Sequence, residues 1–226
     1  MDVVETRTEV NTVHRAQISQ SINVKQRQYE FIKRSLDIVM SLLGLLLLLP
    51  VFAVIIAAIL IENPRGNAIF RQTRLGKGGM PFSMYKFRSM EVDAEQKLDE
   101  LLGSNEVSGA MFKMKNDPRI TRVGKFIRRT SLDELPQLWN VLRGHMSIVG
   151  PRPPLPREVL EYTPYEMARL SVIPGCTGLW QVSGRNNLGF AEMVEMDLQY
   201  IAWRSLGMDM RIIGRTFLTL IAKNGY

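Results

Sequence analysis

Residues 35–62 read SLDIVMSLLGLLLLLPVFAVIIAAILIE, and the 24 positions from Ile38 to Ile61 carry no charge. At ~1.5 Å per residue a helix of that length is about 36 Å long, enough for a hydrocarbon core of roughly 30 Å. It is apolar on every side, unlike a helix on the surface of a soluble domain. The chain is therefore expected to touch a bilayer. Pro50 falls near the middle, where it removes a backbone hydrogen bond and breaks the helix. Lys33 and Arg34 precede the segment, and Arg65, Arg71 and Arg74 follow it, so the positive-inside tendency draws both ends to the cytoplasm. A helix that enters and returns satisfies both facts. A single kinked span, with the first residues outside, is the other reading that length and hydropathy leave open.

Upstream, residues 1–30 are polar and show no helical or strand period, which reads as a mobile tail. The apolar stretch starts too late for a signal peptide, and no small-residue cleavage site follows it. The 226 residues carry 29 Lys and Arg against 22 Asp and Glu, and the excess is local. Residues 62–160 hold 17 basic and 11 acidic groups, whereas the stretches on either side are close to balanced. Arg65–Arg88 has six basic residues and no acid, and Lys113–Arg129 has seven against Asp117 alone. Two such clusters imply anionic partners, phosphate or acidic head groups. Few aromatics interleave them and no binding module is recognisable, so nucleic acid is not an expected partner. The lone Cys176 cannot form an intramolecular disulfide, which suits a cytoplasmic body.

Downstream of Glu62, Asn63–Asn67 forms a turn, and Ala68–Arg71 with Phe82–Phe87 reads as a small hairpin around Gly76, Gly78 and Gly79. Glu91–Leu102 reads as a charged helix. Ile120–Arg129 and Asp133–Leu142 read as helices, the second opening on two acids that suit a helix N-terminus. Gly150–Pro156 and Pro174–Gly178 read as loops. Phe190–Trp203 and Leu206–Ala222 carry helical apolar stripes, the last with Arg211, Arg215 and Lys223 on a basic face. That helix suits a membrane surface or a core edge with a solvated face.

Several chemistries lose support at once. Gly124 and Lys125 lack the upstream glycine of a phosphate-binding loop, and Gly76–Gly79 runs into Met80 and Pro81 without a dinucleotide fingerprint. His14, His145 and Cys176 stand in no metal-ligand spacing. What remains is Asp133 and Glu134. Arg128 and Arg129 lie one turn upstream, Leu132 and Leu135 flank the pair, and Pro136 stiffens the backbone just beyond it. A carboxylate at a helix N-terminus beside arginines is expected to have a lowered pKa, so it can act as a nucleophile or hold a hard cation. The basic clusters would hold phosphates. Phosphoryl transfer needs little more than a nucleophile, a divalent cation and cationic groups. Arg152 stands on a stiff Pro-rich loop suited to an anion or a planar ring. The glycine-rich stretch Gly175–Asn187 suits a sugar nucleotide or a plain connection.

Five ordered stretches carry a family resemblance: KRSLD at Lys33–Asp37, YKFRSM at Tyr85–Met90, DPRITRVGKFIRRTSLDELPQLWNVLRG at Asp117–Gly144, MSIVGPRP at Met146–Pro153 and PGCTGLWQVSGRNN at Pro174–Asn187. Over about residues 31–226 the chain resembles the bacterial sugar transferases. These are polyprenyl-phosphate hexose-1-phosphate transferases, also called monotopic phosphoglycosyl transferases, and the short architecture resembles the ExoY-type exopolysaccharide priming enzymes.

The resemblance implies Asp133 as nucleophile and Glu134 as its dyad partner, with Mg²⁺ held by both. It implies phosphate binding by Lys86, Arg88 and Arg128, a nucleotide-base loop at Pro151, Arg152 and Pro153, and a membrane-helix break at Pro50. Leu49 stands where the family often has Ser, His145 where it has an acid, and Cys176 where it has an aliphatic. The implied fold is mainly α with a small β-hairpin. It comprises the tail 1–30, a re-entrant membrane helix over 31–62, and a cytoplasmic catalytic domain over 63–226 with interfacial amphipathic helices. The implied reaction moves glucose- or galactose-1-phosphate from a UDP-sugar to undecaprenyl phosphate at the bacterial inner membrane, through a phosphosugar-Asp intermediate, releasing UMP. Membrane lipid is a partner in this reading, and a homo-oligomer is compatible with it. The rival reading is a non-catalytic, membrane-anchored basic adaptor.

Overall fold

The computed structural model describes residues 2–94, 96, 97, 101, 114, 116–184 and 188–221, with side chains described from Lys25 to Thr219. Glu95, Leu98, Asp99, Glu100 and Leu102 of the expected helix Glu91–Leu102, and Arg185, Asn186 and Asn187 of the glycine-rich loop, lie outside them, and the described start of that segment, Val92–Ala94 with Gln96 and Lys97, is turn and not helix. The chain divides into two units, Met1–Leu36 and Asp37–Tyr226.

The first unit lies within helix α1, Asp2–Leu47, so the polar residues expected to form a tail are helical. They lack an apolar stripe to reveal this. Once the apolar part has nucleated, adding a turn costs no further nucleation, so a helix can extend through indifferent sequence.

The second unit begins within α1 and continues through α2, Leu49–Glu62. The break falls at Leu48, and Pro50 sits in the first turn of α2, where its missing N–H would have had no intrahelical partner. Among the described residues no single helix is long and apolar enough to cross a membrane. The pair Lys25–Leu47 and Leu49–Glu62 passes jointly on length and composition, bent by 60°. One face of α2 is buried at Ile55 and Ile59, while Leu49, Val54 and Ile61 are uncovered.

Strands β1, Ile69–Leu75, and β2, Pro81–Phe87, form the expected hairpin, pairing Ile69 with Phe87 and Leu75 with Pro81. Its inner face meets α2: Phe87 packs with Ile55, Ile59, Ala68 and Ile127, and Phe52 meets the Phe87 ring edge-on at 5.3 Å. Helix α3 is Arg122–Arg129, started by Thr121, whose Oγ1 accepts from Gly124 N at 2.9 Å. The Glu62 carboxylate caps the same helix, accepting from the Arg122 and Val123 amides at 2.8 and 3.0 Å. Gly124 is required by contact, because a Cβ there would lie 2.0 Å from Ser89 O.

The expected helix Asp133–Leu142 is divided. Leu132–Glu134 is a 3₁₀ turn, and only α4, Gln137–Leu142, is α-helical. The division follows from the entry at Ser131, whose backbone is left-handed (φ 56°), and from Pro136, which cannot donate to the turn before it. Beyond it, β3, Ser147–Val149, runs parallel to β4, Gly175–Thr177, so part of the expected Pro174–Gly178 loop is a strand. Between them lie α5, Pro156–Val159, and α6, Pro164–Met167. Helices α7, Phe190–Trp203, and α8, Leu206–Ile221, close the described chain where their stripes predicted. Val149, Tyr200 and Ile212 pack together beneath the parallel pair.

Candidate active site

Asp133 and Glu134 share the 3₁₀ turn between α3 and α4. Ser131 is the one non-glycine with positive φ among the described residues, and such strain persists only where its surroundings impose it. The turn directs Asp133 inward, leaving it 8% exposed, and leaves Glu134 half-buried. The expected lowered pKa is not what results. Burial pushes the Asp133 carboxyl up to about 6; the Lys86 charge opposes this, the neighbouring Glu134 adds to it and Arg128 opposes it. Desolvation outweighs both cations because a carboxylate in this turn loses most of its water.

Lys86 reaches the dyad from β2, its Nζ donating to Glu134 Oε1 at 2.6 Å. Asn140 of α4, fully buried, sets that approach: its Oδ1 accepts from Tyr85 N at 3.0 Å and its Nδ2 donates to Ser83 O at 2.7 Å. The strand carrying Lys86 is thus fastened to the helix that follows Glu134.

A pocket opens beside this pair, with Arg74, Lys86, Glu134, Arg152, Pro153 and Gln181 on its wall. Gly175 of β4 also lines it, where the chain crosses Gly150, the residue after β3. Gly150 N donates to Thr177 O at 2.9 Å and Gly175 N donates to Pro151 O at 2.8 Å. A Cβ on Gly175 would lie 2.0 Å from Gly150 N, so both segments depend on glycine there. This crossing positions Pro151–Pro153, with the two prolines buried and Arg152 half-buried. Cys176 and Gln137 also line the pocket, and burial pushes the Cys176 thiol pKa up, keeping it neutral.

Of the residues singled out in the sequence, Asp133, Glu134 and Lys86 come together, Arg128 lies close enough for its charge to bear on Asp133, and Arg152 and Pro153 line the same pocket as Glu134. Arg88 does not join them. Its buried guanidinium donates to Arg65 O at 2.6 Å and to the carbonyls of Asn63 and Ile59, clamping the end of α2. Pro50 lies on α2, and Pro151 is at the loop crossing. Gln181 belongs to the glycine-rich stretch that suits a sugar nucleotide, whereas the sequence does not mark Arg74 and Gln137 as site residues. Strand register would have found Arg74: Phe70, Gln72 and Arg74 lie opposite Lys86, Met84 and Phe82, on one hairpin face.

Among the described residues no three His, Cys, Asp or Glu converge as a metal cage. The dyad is nevertheless suited to Mg²⁺, a hard ion commonly held by one or two carboxylates, with substrate phosphates and water completing its shell. The Lys86 ammonium at Glu134 marks a position where positive charge is already accommodated.

Residues 28–223 match the sequence model of the family described as bacterial sugar transferase. The chain is 47% identical over 212 residues to galactosyl transferase CpsE of Streptococcus agalactiae serotype III, covering 92% of this chain and 46% of that protein. It is 42% identical over 207 residues to the undecaprenyl-phosphate galactose phosphotransferase of Salmonella typhimurium, covering 90% of this chain and 43% of that one. Against exopolysaccharide production protein ExoY of Rhizobium meliloti it is 39% identical over 197 residues, covering 85% of this chain and 87% of that protein. It therefore spans less than half of the first two relatives and most of the third.

Proposed function

The chain belongs to the bacterial sugar transferase family, and from that premise we propose that it transfers a sugar-1-phosphate, glucose or galactose first, from a UDP-sugar to undecaprenyl phosphate, as the first membrane step of exopolysaccharide synthesis. The observation that carries this reading is the buried Asp133 beside a Glu134–Lys86 pair at the wall of a cation-lined pocket. Asp133 attacks the β-phosphorus of the donor. An Oδ–P bond forms, the bond to the bridging oxygen breaks, and UMP departs with the electron pair. The lipid phosphate then attacks the phosphosugar-Asp intermediate and frees Asp133. Lys86 and Arg128 bear on the charge that builds at the diphosphate, and Pro151–Pro153 receives the base. Mg²⁺, when bound at the dyad, would offset phosphate charge.

The protein acts at the cytoplasmic face of the inner membrane, with α1 and α2 forming a re-entrant element. The 60° bend and the uncovered apolar face of α2 support this. Mg²⁺-dependent release of UMP from a panel of UDP-sugars tests the activity, and donor alone should leave labelled phosphosugar on the protein. No release from any donor would favour a non-catalytic anchor. Topology is tested by single cysteines placed before Lys33 in a Cys176→Ser background. They should resist a membrane-impermeant thiol reagent on intact cells and become reactive in Pro50→Leu, and outside labelling without that change would rule out re-entry.

A further inference from the structure

Arg74 is a guanidinium only 5% exposed, and among the described residues none of its hydrogen bonds goes to a carboxylate. Its Nε and Nη2 donate to the amide oxygen of Gln72 at 3.1 and 2.7 Å, and its Nη1 donates to Pro153 O at 3.0 Å. These bonds occupy three of the five N–H donors of a guanidinium. The pocket it lines also holds Lys86 and Arg152, and the carboxylate among these groups, Glu134, is already paired with Lys86. Burial, followed by the repulsion of Arg152, brings the Arg74 pKa down to about 9, although the charges of Glu158 and Glu134 pull it the other way. A buried cation that bonds to no carboxylate is only partly compensated until an anion arrives. The pocket wall also joins the dyad side, at Glu134 and Lys86, to the Pro153 loop that Arg74 grips.

We infer that Arg74 is a further donor-binding residue: it holds the α-phosphate that leaves as part of UMP, and its bond to Pro153 O ties that grip to the base loop. This rests on the proposed transfer. As the bond from the bridging oxygen to the β-phosphorus breaks, negative charge grows on the departing phosphate, and a fixed guanidinium beside it stabilises that charge without needing a proton.

Binding of UMP, UDP and uridine to the full chain in lipid nanodiscs, followed by calorimetry, tests this. Arg74→Gln should weaken UMP and UDP by about tenfold to a hundredfold, the effect expected on losing a charged hydrogen bond, with uridine changed less than about twofold. Arg74→Lys keeps the charge but loses the fork, so it should fall between, again with uridine unaffected. It also serves if the glutamine variant does not fold. Equal weakening of UMP and uridine would make Arg74 a loop support only and overturn the inference, while wild-type UMP release would leave the transfer reading standing. A wild type that neither binds UDP nor releases UMP would overturn both.

Discussion

Lys86–Glu134 and Arg169–Asp197 both close to 2.6 Å, yet their surroundings differ at every point. The first pair lies at a pocket wall, with side chains 19% and 34% exposed; the second is enclosed at 6% and 0%. Arg169 grips one oxygen of Asp197 through both Nε and Nη2, at 2.9 and 2.6 Å, donates to Tyr162 OH at 2.7 Å, and faces the rings of Tyr162 and Phe190. It fixes the residues after α6 to α7, and none of its bonds among the described residues reaches the dyad turn. Lys86 makes a single-point contact with a carboxylate that water can also reach. A pair in water contributes little stability and can be exchanged for substrate, whereas an enclosed pair becomes costly when halved. Similar ion pairs thus stand open to a pocket in one place and serve architecture in the other, and on the proposed function the open pair serves reactivity.

The sharpest break in this comparison lies beside the open pair. Asp133→Asn keeps the shape of the turn and removes the proposed nucleophile, so donor-dependent labelling should vanish and turnover should fall on the order of 10⁴-fold. Melting should be unchanged or improved, since a buried charge has been deleted. Near wild-type turnover in this variant would end the covalent mechanism.

The enclosed pair should fail in the opposite way. Arg169→Met strands the Asp197 carboxylate, whose Oδ1 already has no partner among the described residues, and should cost about 3–5 kcal/mol of stability. Adding Asp197→Leu should return much of that loss. Denaturant melts of both variants measure it, and equal losses in the single and double variants would contradict the assignment. Lys86→Met should lower turnover roughly a hundredfold or more while costing under about 1 kcal/mol of stability. Parallel melts and initial rates separate the two effects.

Sequence reading reached these two regions unequally. The apolar run, the hairpin, both C-terminal helices and the dyad motif were legible because each is a local period or a contiguous string. The parallel β3–β4 pair was not, since two three-residue strands, Ser147–Val149 and Gly175–Thr177, show no period and meet only through the crossing of Gly150 and Gly175. Arg88 and Arg74 belong to one basic cluster in the sequence, yet folding sends the first to the carbonyls ending α2 and the second into the pocket. Composition records how many cations a segment has, and strand register decides which of them share a face. The Asp133 pKa was misjudged for a similar reason: the arginines are visible in the sequence, and the burial that outweighs them is not.

That burial gives the smallest effect and the finest discrimination between the two pairs. With a folded pKa near 6 against an unfolded 3.8, Asp133 in the folded protein keeps a proton that the unfolded chain has lost, so its contribution to stability falls as pH rises through that window. Nucleophilicity runs the other way, because only the carboxylate attacks. The kcat/KM for donor labelling reports the free enzyme, and it should rise about tenfold between pH 5 and pH 7 and then level off, the ratio expected of a single group titrating near 6. Lys86 holds that pKa down, so Lys86→Met should move the midpoint upward. Arg169 is not among the groups acting on Asp133, so Arg169→Met, assayed below its melting temperature, should leave the midpoint in place. A midpoint that moves equally in both variants would mean that the two ion pairs are coupled, and the division between a reactive pair and an architectural one would fail.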